Sequence, residues 1–220
     1  MKRFFAKVHL WLSIPLGILV SVISLSGAAL VFEQEITRAF DPQLYRVTPP
    51  AGIRPLPPSQ LAARIREQVP DSLKLSALQL SGDPRKTCMA SFKGAGRRTL
   101  SVDPYTGEVN GWTKSHAFFQ TTRELHRWLM DAPAAKGQKS VGKAVVGVTT
   151  LLLVVILVSG LVIWIPRTRK ALKHRLKVSC NKGWRRFWYD SHVALGFYAA
   201  LFLLVMALTG LTWSFGWYRK

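Results

Sequence analysis

The chain has 220 residues, 31 Lys and Arg against 11 Asp and Glu, a formal net charge of +20 and a mean hydropathy of +0.14. Soluble domains rarely combine so much charge with so much apolar character, so the two must be segregated along the chain. Two cysteines exclude a disulfide framework. The lack of a G-x-G-x-x-G turn, a P-loop, an H-E-x-x-H helix or a serine nucleophile elbow excludes nucleotide binding by a known fingerprint and argues against a hydrolase.

The first element is a charge-free apolar run, Val8 to Phe32, longer than the roughly 20 residues a helix needs to cross a bilayer. A cleaved signal peptide with Ser26-Gly27-Ala28-Ala29 as its small-residue site is the competing reading. Signal cores are about 7–15 residues long, whereas this run is longer and holds His9, so a retained anchor is expected. Five prolines between Pro49 and Pro58 then predict a stiff, extended tether. Ser59 is placed to cap a helix with Leu61, Ile65 and Val69 on one face, ending at Pro70. Alternating stretches at 73–80, 88–92 and 99–102 and a shorter one near 108–112 read as strands separated by Gly- and Pro-containing turns. An amphipathic helix is expected between Trp112 and Met130, with His126 on its apolar face.

The second apolar run is Ala144 to Ile165 and the third is Ser191 to Tyr218, with His192 at its start. Between them, residues 166–190 carry Arg167, Arg169, Lys170, Lys173, Arg175, Lys177, Lys182, Arg185 and Arg186 against Asp190 alone. This is the positive-inside signature of a short cytoplasmic loop, and Lys2, Arg3 and Lys7 place the N-terminus on the same side. The expected layout is a cytoplasmic N-terminus and first membrane helix over 1–32, then a periplasmic segment over 33–143. That segment holds an α+β unit at about 59–112 and an amphipathic helix at about 113–130. A second membrane helix (144–165), a cytoplasmic loop (166–190), a third membrane helix (191–218) and a periplasmic tail of Arg219 and Lys220 follow. The fold class is therefore an α-helical integral membrane protein with three transmembrane helices and a small α+β domain between the first two. Cys88 and Cys180 fall on opposite sides and cannot pair within one chain. The basic charge does not indicate nucleic acid, because no motif for it is present and the densest cluster lies directly between two spans.

Several segments carry a likeness. Asp103-Pro104-Tyr105-Thr106-Gly107-Glu108-Val109 resembles the signature turn of PepSY domains. Leu125-His126-Arg127-Trp128-Leu129, Ser159-Gly160-Leu161 through Trp164 and Pro166-Arg167, and Gly183-Trp184-Arg185-Arg186-Phe187 with Tyr189-Asp190 and His192 follow. With Gly196-Phe197-Tyr198 and Thr209-Gly210-Leu211-Thr212-Trp213, these resemble, over nearly the whole chain, the PepSY-associated transmembrane family, also described as iron-regulated membrane proteins.

Some members of that family are haem b proteins that reduce ferric iron, often in siderophores, and pass electrons across the inner membrane. The resemblance therefore implies an oxidoreductase of the bacterial inner membrane with a ferric chelate as acceptor and a separate cytoplasmic electron donor. A bis-histidine haem needs two imidazoles on different helices at one depth. His9 and His192 meet that requirement, each within roughly one helical turn of the same boundary. Asp190 is a candidate to orient one of them, and Arg185 and Arg186 are candidates for the propionates. Anchoring of the arginines to anionic lipid, and simple charge compensation by Asp190, are the competing roles. For the histidines the competing role is an interfacial pair that binds no cofactor.

His126 is implied as a ligand of a second haem on the outer side, without an evident opposing ligand. Family members with a fourth helix are longer. A chain ending at Lys220 is expected either to lack the outer haem or to complete it with a homodimer partner or another subunit. Two readings without redox chemistry stay open: a membrane-anchored PepSY binding or regulatory module, and an accessory subunit of an iron-uptake complex.

Overall fold

A computed structural model describes residues 1–96, 98–135 and 138–219; of the tail named above, Lys220 lies outside the described residues. The helices are α1 (Lys2–Val31), α2 (Glu33–Phe40), α3 (Pro58–Gln68), α4 (Ala117–Trp128), α5 (Val141–Trp164), α6 (Arg169–Arg175) and α7 (Trp184–Ser214). The strands are β1 (Leu75–Gln79), β2 (Cys88–Phe92), β3 (Thr99–Val102) and β4 (Val109–Trp112). The chain forms two compact units, Ala29–Gln120 and Met1–Ala28 with Thr121–Lys220.

Within the first unit the strands form an antiparallel meander in the order β1-β2-β3-β4. Cys88 pairs with Val102 and Ala90 with Leu100, so the period of two sends these residues to one face. Leu61 and Ile65 of α3, one turn apart, close that face over Cys88, Ala90, Phe92, Leu100 and Val102. Helix α3 starts from Pro58 rather than from a serine cap. Pro57 occupies the cap position without a side-chain hydrogen bond, and Ser59 lies inside the first turn. Pro58 suits that start because its fixed φ is helical and its missing N–H would have had no partner there.

The turn at 103–107 is built by its own residues. The Asp103 carboxylate accepts from the N–H of Tyr105 (2.7 Å) and of Thr106 (3.3 Å), and the Gly107 N–H donates to the Asp103 carbonyl (2.9 Å). Gln68 ties the end of α3 to it, donating to the Gly107 carbonyl and accepting from the Val109 N–H. The buried Tyr105 donates its hydroxyl to the Pro84 carbonyl (2.8 Å). Gly107 has φ +75°, and a Cβ there would stand 2.6 Å from Arg64 Cδ. Gly107→Ala is expected to destabilise this unit by about 1–3 kcal/mol, read as a lower urea midpoint for the sheet signal. The signature turn is thus a structural joint between α3 and the sheet.

In the second unit α1, α5 and α7 are each long and apolar enough to cross a membrane, at 30, 24 and 31 residues. Such spans must be helical, because lipid offers no partner to an open backbone group. Helix α7 begins at Trp184, earlier than the apolar run, so Asp190 and Arg186 lie on its first turns rather than in the loop. Helices α5 and α7 form the close backbone pairing of the bundle, and among the described residues α1 has no comparably close partner. Small residues permit the pairing. Ala194, Ala200 and Ala207 are buried on α7, and a Cβ on Gly147 of α5 would stand 2.9 Å from Ser214 Cβ. At the other end the rings of Trp164 and Phe197 stack at 3.6 Å and 8°.

Helix α4 is shorter than the pattern suggests, since Trp112 belongs to β4 and His116 precedes the helix. It stops through two consecutive residues with positive φ, Leu129 (+49°) and Met130 (+68°), which is uncommon for bulky side chains. The Leu129 N–H bonds the Leu125 carbonyl and the Met130 N–H the Glu124 carbonyl, closing the helix end. Asp131 then latches the start of α5. Its carboxylate accepts from the Gly142 N–H (2.9 Å), and Ser140 donates to its carbonyl (2.7 Å) while capping the Lys143 N–H (2.9 Å). The Gly142 N–H, and after it Ser140, hold the Asp131 carboxyl below its ordinary range. The latch is therefore whole above that range and is lost only as pH falls through the depressed value.

Candidate functional site

His9 projects from α1 onto α5. Its Nδ1 lies 3.0 Å from the Ile156 carbonyl and 3.2 Å from the Ser159 hydroxyl, which itself donates to the Ile156 carbonyl (2.9 Å). A carbonyl only accepts, so Nδ1 carries the proton and Nε2 of the neutral ring presents a lone pair. The ring fits because residue 160 is glycine: a Cβ there would stand 3.1 Å from His9 Cε1.

His192 of α7 faces His9, with ring centroids 6.2 Å apart and planes at 54°. Among the described residues the His192 ring makes no hydrogen bond, so both its nitrogens are available. Beyond the two rings the helix faces carry small residues. One turn along α1 from His9 the Ser13 hydroxyl is buried without a partner among the described residues, and a turn further Gly17 borders open space. Gly196, one turn from His192 on α7, also borders open space.

His126 repeats the construction on α1. Its Nδ1 lies 2.8 Å from the Ile23 carbonyl and 3.4 Å from the Ser26 hydroxyl, and a Cβ on Gly27 would stand 2.8 Å from its Cε1. Ser26 donates to the Val22 and Ile23 carbonyls, as Ser159 does to Ile156. Each histidine thus sits on an Ile-x-x-Ser-Gly segment, Ile23 to Gly27 or Ile156 to Gly160. The repeated pentapeptide is legible in the sequence; its use as a seat for a histidine from another helix is not. Among the described residues of this unit no second imidazole faces His126. His116 belongs to the other unit, where its Nε2 is 3.2 Å from Asp41 Oδ2 without hydrogen-bond alignment.

Asp190 does not back His192. Its buried carboxylate takes the Arg186 Nε on both oxygens (2.8 and 2.9 Å) and the Ser179 N–H (3.3 Å), fastening the α6–α7 connection to α7. The i, i+4 spacing of Arg186 and Asp190, not the proximity of Asp190 to His192 in sequence, decides the partner. Arg185 is exposed and touches neither histidine.

The architecture is that of a helical membrane protein with an α+β unit between its first and second membrane helices. The sequence model of the PepSY-associated TM region family matches residues 6–220, and the chain belongs to that family. A comparison with curated proteins returned no match.

Proposed function

We propose that this protein binds haem b between α1 and α7 and carries electrons across the inner membrane, from a separate cytoplasmic donor to ferric iron or a ferric siderophore in the periplasm. The observation that carries this reading is the His9–His192 separation. Imidazole nitrogens bind a metal at about 2 Å, so two rings on opposite sides of one iron stand with centroids roughly 6 Å apart. The 6.2 Å found here fits that spacing. The wide placement of α1, the open space at Gly17 and Gly196 and the orphaned Ser13 hydroxyl fit a flat group entering between the helices.

Bound there, the haem would supply a one-electron couple. The chain's own part is to hold His9 in the tautomer that frees Nε2, through the Ile156 carbonyl, and to make that imidazole a stronger donor. His126, seated in the same way, would serve an outer site whose second ligand comes from a homodimer partner or another subunit. The basic periplasmic segment, 33–143, would draw anionic ferric chelates to the surface.

Dithionite-reduced minus oxidised spectra of the detergent-purified protein, made in haem-replete cells, test the reading. Sharp b-type α and Soret bands are expected for the parent, with loss of the inner-site contribution in His9→Ala and in His192→Ala. A featureless spectrum from folded parent protein would refute it and leave the membrane-anchored PepSY module as the better account.

A further inference from the structure

We propose that the pocket of about 200 Å³ between α6 and the first turns of α7 binds a phosphate group, either that of an anionic phospholipid or free phosphate. His174, Arg175, Arg186, Tyr189 and Asp190 line it, and Ala171 and Val193 supply its apolar wall. Two guanidinium groups and an imidazole thus line the pocket with a single carboxylate. That carboxylate is already taken up on both oxygens by the Arg186 Nε, which fixes the arginine and offsets the negative charge an anion would meet.

Most of the donors remain. Arg186 uses only Nε on Asp190, so among the described residues its two terminal amino groups are uncommitted, and the guanidinium lies 5.7 Å from the Tyr189 ring centre. Arg175 gives Nη1 to the Ile163 and Trp164 carbonyls at the end of α5, which orients its fork and leaves Nη2. His174 is exposed, and its imidazole makes no hydrogen bond among the described residues. Planar arginine forks match the oxygens of a phosphate, and basic pockets at the ends of membrane helices suit lipid head groups.

The pocket is independent of the histidine pair. Arg186, Asp190 and Val193 share one face of α7 at i, i+4 and i+7, and His192 points roughly 130° away from the centre of that face. Loss of haem binding would therefore leave this proposal standing, and the reverse.

The test uses delipidated full-length protein, with thermal midpoints and native mass spectrometry after addition of phosphatidylglycerol, phosphatidylcholine or inorganic phosphate. Phosphatidylglycerol is expected to be retained and to raise the midpoint where phosphatidylcholine does not. His174→Ala and Arg186→Gln should each weaken its apparent affinity about fivefold. His174→Ala removes no internal bond, so it remains informative if Arg186→Gln folds poorly. Inorganic phosphate that reproduces the shift and displaces the lipid, with the same dependence on the two residues, would assign the site to free phosphate. No shift with either ligand, or a phosphatidylglycerol effect equal in parent and both variants, would overturn the proposal.

Discussion

On the proposed haem site, Gly160→Leu is expected to lower haem affinity roughly 10–100-fold, the range seen when the support of a metal-bound histidine is removed. The cause is steric. Even a Cβ at position 160 stands 3.1 Å from His9 Cε1 and 3.4 Å from Nδ1, so a branched side chain drives the ring off α5 and parts Nδ1 from the Ile156 carbonyl. Free of that acceptor, the imidazole loses both its fixed tautomer and its aim at His192. Haem titration into detergent-solubilised apoprotein measures the effect. Val158→Leu, on the same helix at a position 43% exposed, should titrate like the parent. A Gly160→Leu protein that also titrates like the parent would show that the seat does not hold a haem ligand. Ser159→Ala should fall between the two, because it removes one polar neighbour of Nδ1 and keeps the carbonyl.

Gly142→Ala destabilises the membrane unit by about 3 kcal/mol or more, since it adds volume where backbone rather than a flexible side chain must yield. A Cβ on Gly142 would collide with the Trp128 carbonyl oxygen and stand 3.0 Å from Asp131 Cβ. The start of α5 and the end of α4 are pressed together at this point. To accommodate a methyl group, the left-handed pair Leu129–Met130 or the Asp131 latch must open. Since α4 carries His126, its ring should leave the Ile23 carbonyl at the same time. Thermal unfolding followed by near-ultraviolet circular dichroism, with Val141→Ala as an exposed control, reads the loss. A parent-like midpoint for Gly142→Ala would contradict this account of the junction.

Much of this architecture is written in local pattern. Unbroken apolar length marks the three spans because bilayer thickness leaves no alternative, and the strands Cys88–Phe92 and Thr99–Val102 have the bounds read from the sequence, although burial alternates only in the first of them. The boundaries that shifted are those where local signals compete. Ser59 and Pro58 are both start signals one residue apart, and the proline took the first helical position. Trp112 fits an amphipathic helix by spacing, yet it pairs with Leu100 as the edge of the sheet. Asp190 and Arg186 read as loop because they are charged, but neutralising each other at i, i+4 lets α7 begin before the apolar run.

For the candidate site, polar residues retained in apolar spans were enough to single out His9 and His192. Their partners were not legible: Asp190 is close to His192 in sequence and turned elsewhere in space. The Ile-x-x-Ser-Gly seats lie about a hundred residues or more from the histidines they receive, a relation that only the packing of helices creates. The phosphate pocket escapes the sequence for the same reason, since α6 and α7 must meet before His174 and Arg175 lie beside Arg186.

His9 and His192 are proposed as axial ligands of one iron. Low-temperature electron paramagnetic resonance of the oxidised protein, for the parent, His9→Ala and His192→Ala, tests it most directly. A low-spin ferric signal of the bis-imidazole type in the parent, replaced in each variant by a high-spin signal or lost with the haem, is the predicted result. A parent that binds haem and gives the same low-spin signal with either histidine removed would contradict it.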